Sequence, residues 1–147
     1  MRSGLPAIAA LLGLLGAWPA AAADCSVPAP GTAERKAVMD AVRQPVAKEL
    51  RQPVEFVAHK FKACASGGKS FAFLDAEPQK PGGAALDWSI TPYAEDDCSR
   101  LVIALMVKDA AGPWRVEELN ICPTDVPWEV WPEQYGAPAE LFAEDSE

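Results

Sequence analysis

The sequence predicts an α+β fold: an N-terminal helix packed on a curled antiparallel sheet of about four strands, followed by a Trp-rich C-terminal tail. Three observations predict it. Val38, Val42, Val46 and Leu50 recur every four positions, which is the stripe of one helix face. Later segments carry strand patterning between clusters of turn residues. Cys25, Cys64, Cys98 and Cys122 are spread across these elements, so their pairing ties distant parts together.

Residues 1–23 read as a secretory signal peptide. Arg2 gives the positive start, residues 5–18 an apolar stretch broken only by Gly and Pro, and Ala20 to Ala23 the small residues of a cleavage site. The mature chain then starts near Asp24 in an oxidising compartment, periplasmic or extracellular, where the cysteines are read as two disulfides. Lipidation at Cys25 would need a small residue before it, and Asp24 stands there. What remains, residues 24–147, makes one domain able to bury roughly two-thirds of the surface of its unfolded chain. It has no apolar run of the about 18 residues that span a membrane.

Residues 25–31 form an extended lead-in, and Gly31-Thr32 marks the N-cap of a helix over residues 33–50. Glu34 in the first turn and Lys48 in the last suit the helix dipole. Pro45 lacks the N–H that would reach the Ala41 carbonyl, which predicts either a kink or a second short helix capped by Gln44. Gln52-Pro53 ends the helix. Residues 54–64 and 71–77 alternate around Ser66-Gly67-Gly68 and form a hairpin, with Phe71 and Phe73 on one face. Residues 100–108 are apolar on both faces, the mark of an interior strand covered on two sides. Residues 114–122 make the last strand, whose apolar phase slips at Glu117-Glu118 and so predicts a bulge.

Residues 78–99 are a long loop, Pro- and Gly-rich but carrying Leu86, Trp88, Ile90 and Tyr93, with room for one short irregular strand. In the tail, 123–147, Asp125 is placed to cap a short helix with Trp128 and Trp131 on one side, and the rings are expected to wrap back over the sheet. In a four-strand meander the Cys64 and Cys98 ends lie far apart while Cys98 and Cys122 share an end. The helix returns the lead-in to the Cys64 end. The expected pairs are therefore Cys25 with Cys64 and Cys98 with Cys122, each worth roughly 3 to 4 kcal/mol.

The net charge of −8 is unevenly placed. Residues 24–116 carry twelve basic and twelve acidic side chains, whereas after Arg115 there are nine acidic residues and no Lys or Arg. Such a field repels phosphate backbones, so nucleic acid is not an expected partner. A cationic protein, peptide or small ligand is compatible with it.

Most chemical motifs fail on their own terms. Residues 63–70 half-match a phosphate-binding loop, but Ala63 stands where the first glycine belongs and a strand follows where a helix N-terminus is needed. His59 is the only histidine, on a strand face expected to include Val57 and Phe61 and to oppose Cys64, so no Cys-His nucleophile assembles. Oxidised, widely spaced cysteines offer no zinc site. Asp75 and Glu77 share a strand face and Glu95-Asp96-Asp97 forms an acidic corner, neither with calcium-loop spacing. None of Ser66, Ser70, Ser89 and Ser99 sits in a nucleophile elbow. No metal or cofactor is called for.

A helix followed by an antiparallel sheet, with Gly112-Pro113-Trp114-Arg115-Val116 at a strand start, resembles the NTF2-like and cystatin-like groups. Through Trp114 to Trp128 with Pro123-Thr124-Asp125 the chain also resembles small exported bacterial proteins of unknown function. The inhibitory Gln-x-Val-x-Gly of cystatins has only Gln52-Pro53-Val54-Glu55-Phe56 here, without the glycine, so protease inhibition is not implied. Two functions are carried forward. One is a non-enzymatic binding module with Trp88, Trp128, Trp131 and Tyr135 as anchors and Glu129 and Glu133 steering a cationic partner. The other is a small enzyme or ligand-binding protein with a pocket between helix and sheet, where His59 or Asp75 acts as base.

Overall fold

A computed structural model of the chain describes Gly16 and residues 23–145. The signal-peptide reading of residues 1–23 lies outside the described residues, apart from Gly16 and Ala23. In chain order the described elements are β1 (Asp24–Ser26), α1 (Ala33–Leu50), β2 (Glu55–Ser66), β3 (Lys69–Gln79), β4 (Val102–Asp109), β5 (Arg115–Ile121) and α2 (Trp131–Tyr135), with 3-10 turns at Trp88–Ile90, Pro127–Val130 and Ala139–Leu141. The strands form one antiparallel meander, β1-β2-β3-β4-β5.

The expected α+β class holds, with two corrections. The sheet has five strands, because the lead-in itself becomes β1, with Cys25 opposite Cys64 and bonded to it. It is also uncurled. A sheet curls around a single covering layer; this one is covered on both faces, by α1 on one and the tail on the other. Both expected disulfides are present, Cys25–Cys64 and Cys98–Cys122, and the second ties the end of the long loop to the end of β5.

Thr32 caps α1, its hydroxyl accepting the Arg35 N–H at 3.3 Å and donating to the Ala29 carbonyl at 2.8 Å. Arg51 ends the helix at φ 57°, donating its N–H back to the Ala47 and Lys48 carbonyls. The helix continues through Pro45 as one element, with no second helix starting there. Val42, Val46 and Leu50 are fully buried on either side of it, and that packing offsets the lost hydrogen bond. Sheet positions facing α1 are often small, among them Ala63, Ala72, Ala76 and Ala104, so the helix lies close.

The β2–β3 hairpin turns through Gly67 and Gly68, both in the left-handed region at φ 61° and 79°, as a two-residue primed turn requires. The expected bulge in the last strand is present: Leu105 pairs with Glu118 and Met106 with Val116, leaving Glu117 extra. A second bulge was not legible. Ala58 pairs with Ala76 and Lys60 with Asp75, so His59 is unpaired. That extra residue keeps Phe56 and Ala58 on the same face as Phe61 and Ala63 despite their broken alternation.

β4 is the doubly covered strand the pattern predicts; β3, expected only to alternate, is buried on both faces as well, and the tail covers the second face of both. Trp131, Ala137 and Leu141 are buried there against Phe71, Phe73, Ile103, Leu105 and Val107. Trp128, Trp131 and Phe142 meet the Phe73 ring edge-on at centroid distances of 5.4, 6.3 and 5.2 Å. Asp125 does not cap a helix; Val126 precedes the first 3-10 turn, which has no side-chain cap. The long loop, where the sequence left room for a short irregular strand, holds a 3-10 turn at Trp88–Ile90, flanked by hydrogen bonds of Gln52 with Asp87 and of Arg51 with the Ile90 carbonyl.

The tail is thus core and not decoration. Leu141→Ala should destabilise the protein by about 2–5 kcal/mol in guanidinium unfolding followed by circular dichroism. Val126→Ala, at a position 44% exposed, should change stability by less than about 0.5 kcal/mol in the same assay.

Candidate functional site

The structure separates residues that the sequence had grouped as one contact surface. Trp131 is 2% exposed and belongs to the core, so it is not available as an anchor. Trp128 is half-buried against Phe73. Tyr135 donates its hydroxyl to Glu118 on β5, which fastens α2 to the sheet. That hydrogen bond, then burial and the charges of Glu118 and Glu117, push the phenol up to about 12, so it stays protonated. Trp88 lies in the loop on the helix side, half-buried, with the Arg100 guanidinium 4.7 Å above its ring. Glu129 and Glu133 are exposed and have no basic partner among the described residues.

Two lysines that sequence reasoning missed hold the end of the tail. Lys62 is 7% exposed; its ammonium donates to the Glu140 and Ala143 carbonyls at 3.3 and 3.0 Å and pairs with Asp145 at 2.7 Å. Lys60, two residues before on the same face, donates to the Phe142 carbonyl at 2.8 Å and lies 3.6 Å from Glu144. The Lys62 ammonium holds the Asp145 carboxyl below the usual carboxylate range. A signal was present in the sequence: both lysines are in phase with Cys64, which the expected disulfide places on a covered face.

His59 and Asp75 do not face the helix. The bulge places His59 on the tail side, in correction of the expectation that it shares a face with Phe61 and opposes Cys64. Its Nδ1 lies 3.7 Å from Asp75 Oδ1 and its Nε2 3.9 Å from Glu77 Oε2, and it is exposed. Asp75 Oδ1 is buried without a hydrogen-bond partner in the described residues. Burial raises the Asp75 carboxyl above its usual range, against the opposing pull of His59 and Lys60. The helix–sheet interface that was to hold a pocket is filled by Val38, Val42, Val46, Leu50 and Phe61. His59, Asp75 and Glu77 form no metal-holding group, and no such group occurs among the described residues.

Open space lies instead along the outer side of α1. One cleft of about 700 Å³ runs between Ala33, Ala37 and Ala41 of the helix and Pro113-Trp114 at the start of β5. A second, of about 390 Å³, is lined by Pro45, Lys48 and Glu49 of the helix with Tyr93, Leu119 and Ile121. Neither includes His59 or Asp75. Compared with protein-family models, curated proteins and solved structures, the chain matches none.

Asp75 gives a pH dependence with a definite sign. Its carboxyl is raised in the fold, so its favourable contribution is complete below the unfolded value and is lost as pH rises through the folded one. At neutral pH the ionised group is a net cost. Asp75→Asn should therefore raise the midpoint of urea unfolding at pH 7. The difference from the parent should disappear near pH 3; a variant less stable than the parent at pH 7 would contradict this.

Proposed function

We propose that the protein is a secreted or periplasmic non-enzymatic binding module for a cationic protein, peptide or small ligand. The observation that carries this reading is how the acidic residues of the C-terminal third divide. Glu144 and Asp145 are neutralised by Lys60 and Lys62, and Glu118 accepts the Tyr135 hydroxyl. Asp125, Glu129, Glu133 and Glu140 are exposed and lack a basic partner among the described residues. They are carboxylates with no structural task, on a segment with no Lys or Arg, and they attract cations. The contact surface is accordingly an acidic rim, with Glu129 and Glu133 retained from the sequence reading and Trp128, Trp131 and Tyr135 reassigned to holding the tail.

Two disulfides support export, and no helix among the described residues is long and apolar enough to cross a membrane. The order of helix then meander supports the likeness in layout to the NTF2-like and cystatin-like groups. The uncurled sheet and the tail on its second face are where the likeness departs. A second reading, a small enzyme with His59 or Asp75 as base, is favoured by one observation: the unpartnered Asp75 oxygen beside the imidazole.

Isothermal titration with a short oligolysine probe tests the binding reading. Saturable binding that weakens with salt is expected, and Glu129→Lys combined with Glu133→Lys should weaken it at least about tenfold. Non-saturable association, or affinity unchanged by the double substitution, would overturn the proposal.

A further inference from the structure

β5 forms one edge of the sheet along Arg115–Ile121. At the other edge β1 spans only Asp24–Ser26, pairs with residues 63–65 and is bonded to β2 through Cys25–Cys64. Residues 55–62 of β2, a stretch that carries Lys60 and Lys62, are left without a strand partner on that side among the described residues. The Cys122 N–H donates to the Leu101 carbonyl at 2.8 Å, which makes residues 101 and 122 a hydrogen-bonded pair. Antiparallel alternation then directs the backbone of Glu118 and Asn120 toward β4 and that of Leu119 and Ile121 away from it. These outward N–H and C=O groups have no backbone partner among the described residues.

The side chains of Leu119 and Ile121 line the smaller cleft, opposite Pro45 of α1. Because Pro45 has no N–H, the Ala41 carbonyl lacks its usual donor, and Ala41 lines the larger cleft. The space beside the free edge therefore has an apolar floor of Leu119, Ile121, Pro45 and Tyr93, with Lys48 and Glu49 at its rim. On the opposite face of β5, Glu118 stands beside Tyr135, and the bulged Glu117 is met only by Arg115 at 4.0 Å.

We propose that β5 accepts an extended basic peptide as a sixth strand, hydrogen-bonded to Leu119 and Ile121. Alternate apolar side chains of the peptide enter the cleft beside α1, and its basic side chains lie along Glu117 and Glu118. This rests on the binding-module reading and specifies its mode. Alternation is what allows one segment to satisfy both faces, since successive side chains of a strand point to opposite sides. Charge decides against a second copy of the chain. Pairing β5 with β5 would bring two sets of Glu117 and Glu118 onto one short ladder, whereas a basic strand is complementary.

The test uses a fluorescent octapeptide of alternating Val and Lys. Two controls go with it: the same peptide N-methylated at alternate residues, and an alternating Val and Glu peptide. Anisotropy should show saturable binding of the first and at least about tenfold weaker binding of both controls. Amide hydrogen exchange should slow at Leu119 and Ile121 in the complex. Glu117→Lys, on an exposed bulge, should weaken the Val-Lys peptide while leaving the fold intact by circular dichroism. Equal affinity for the N-methylated peptide, or slowed exchange confined to other segments, would overturn strand addition. So would a concentration-dependent dimer that protects the same amides without peptide. Oligolysine binding that is lost with Glu129 and Glu133 reversed, but gives no protection at Leu119 and Ile121, would sink this inference alone; failure of every cationic probe would sink the binding-module reading with it.

Discussion

Two buried or half-buried lysines on β2 make the fold a three-layer one. β3 and β4 are apolar on both faces, so each face must be covered. α1 covers one, and the only described segment packed over the other is a tail too rich in proline for a long helix. Short 3-10 turns leave carbonyls without internal donors, and such groups cannot be laid on a hydrophobic sheet unpaired. Lys60 and Lys62 supply the donors, at the Glu140, Phe142 and Ala143 carbonyls, and their charges meet Glu144 and Asp145. These contacts hold the end of the tail, and with it the Phe142 ring, against Phe73, while Tyr135 and Glu118 hold α2 and Trp131.

The two covering layers differ in kind, and the sheet's side chains match each of them. Toward α1 the sheet presents Ala63, Ala72, Ala76 and Ala104, which lets a regular helix bearing valines approach closely. Toward the tail it presents Phe71, Phe73, Ile103, Leu105 and Val107, whose bulk fills the gaps that an irregular segment leaves.

Much of this was legible in the sequence because it follows from local periodicity or from chain topology. The four-residue spacing of Val38, Val42, Val46 and Leu50 marks α1 to its ends, and Thr32 marks its cap. The double-faced pattern at β4 required a second layer, and the phase slip at Glu117-Glu118 required an extra residue. Antiparallel connectivity led to both disulfides. What escaped depended on contacts distant in sequence. The bulge at His59 leaves alternation superficially intact, because Val57, His59 and Phe61 still read as one face until the pairing with β3 is known. Trp131 and Tyr135 look like anchors in a list of residue types, and only the fold shows that one is core and the other fastens α2 to β5. The strand identity of the lead-in came from its partner, since three residues carry too little pattern to predict β1.

Where the protein is rigid constrains where it can bind. The Cys25–Cys64 bond fastens the short β1 to the end of β2, and Cys98–Cys122 pins the long loop just beyond the last residue of β5. The free stretch of β5 is therefore short and held at its end, so a strand added there as proposed would meet a preformed edge, with little ordering entropy opposing it. The Glu117 bulge and the charges around it are also the devices by which edge strands avoid indiscriminate pairing. Both properties follow from the same residues. If β5 takes a sixth strand as proposed, an edge that sets Glu117 and Glu118 on one face and Leu119 and Ile121 beside a cleft on the other would select for strands that carry positive charge on one face and apolar groups on the other.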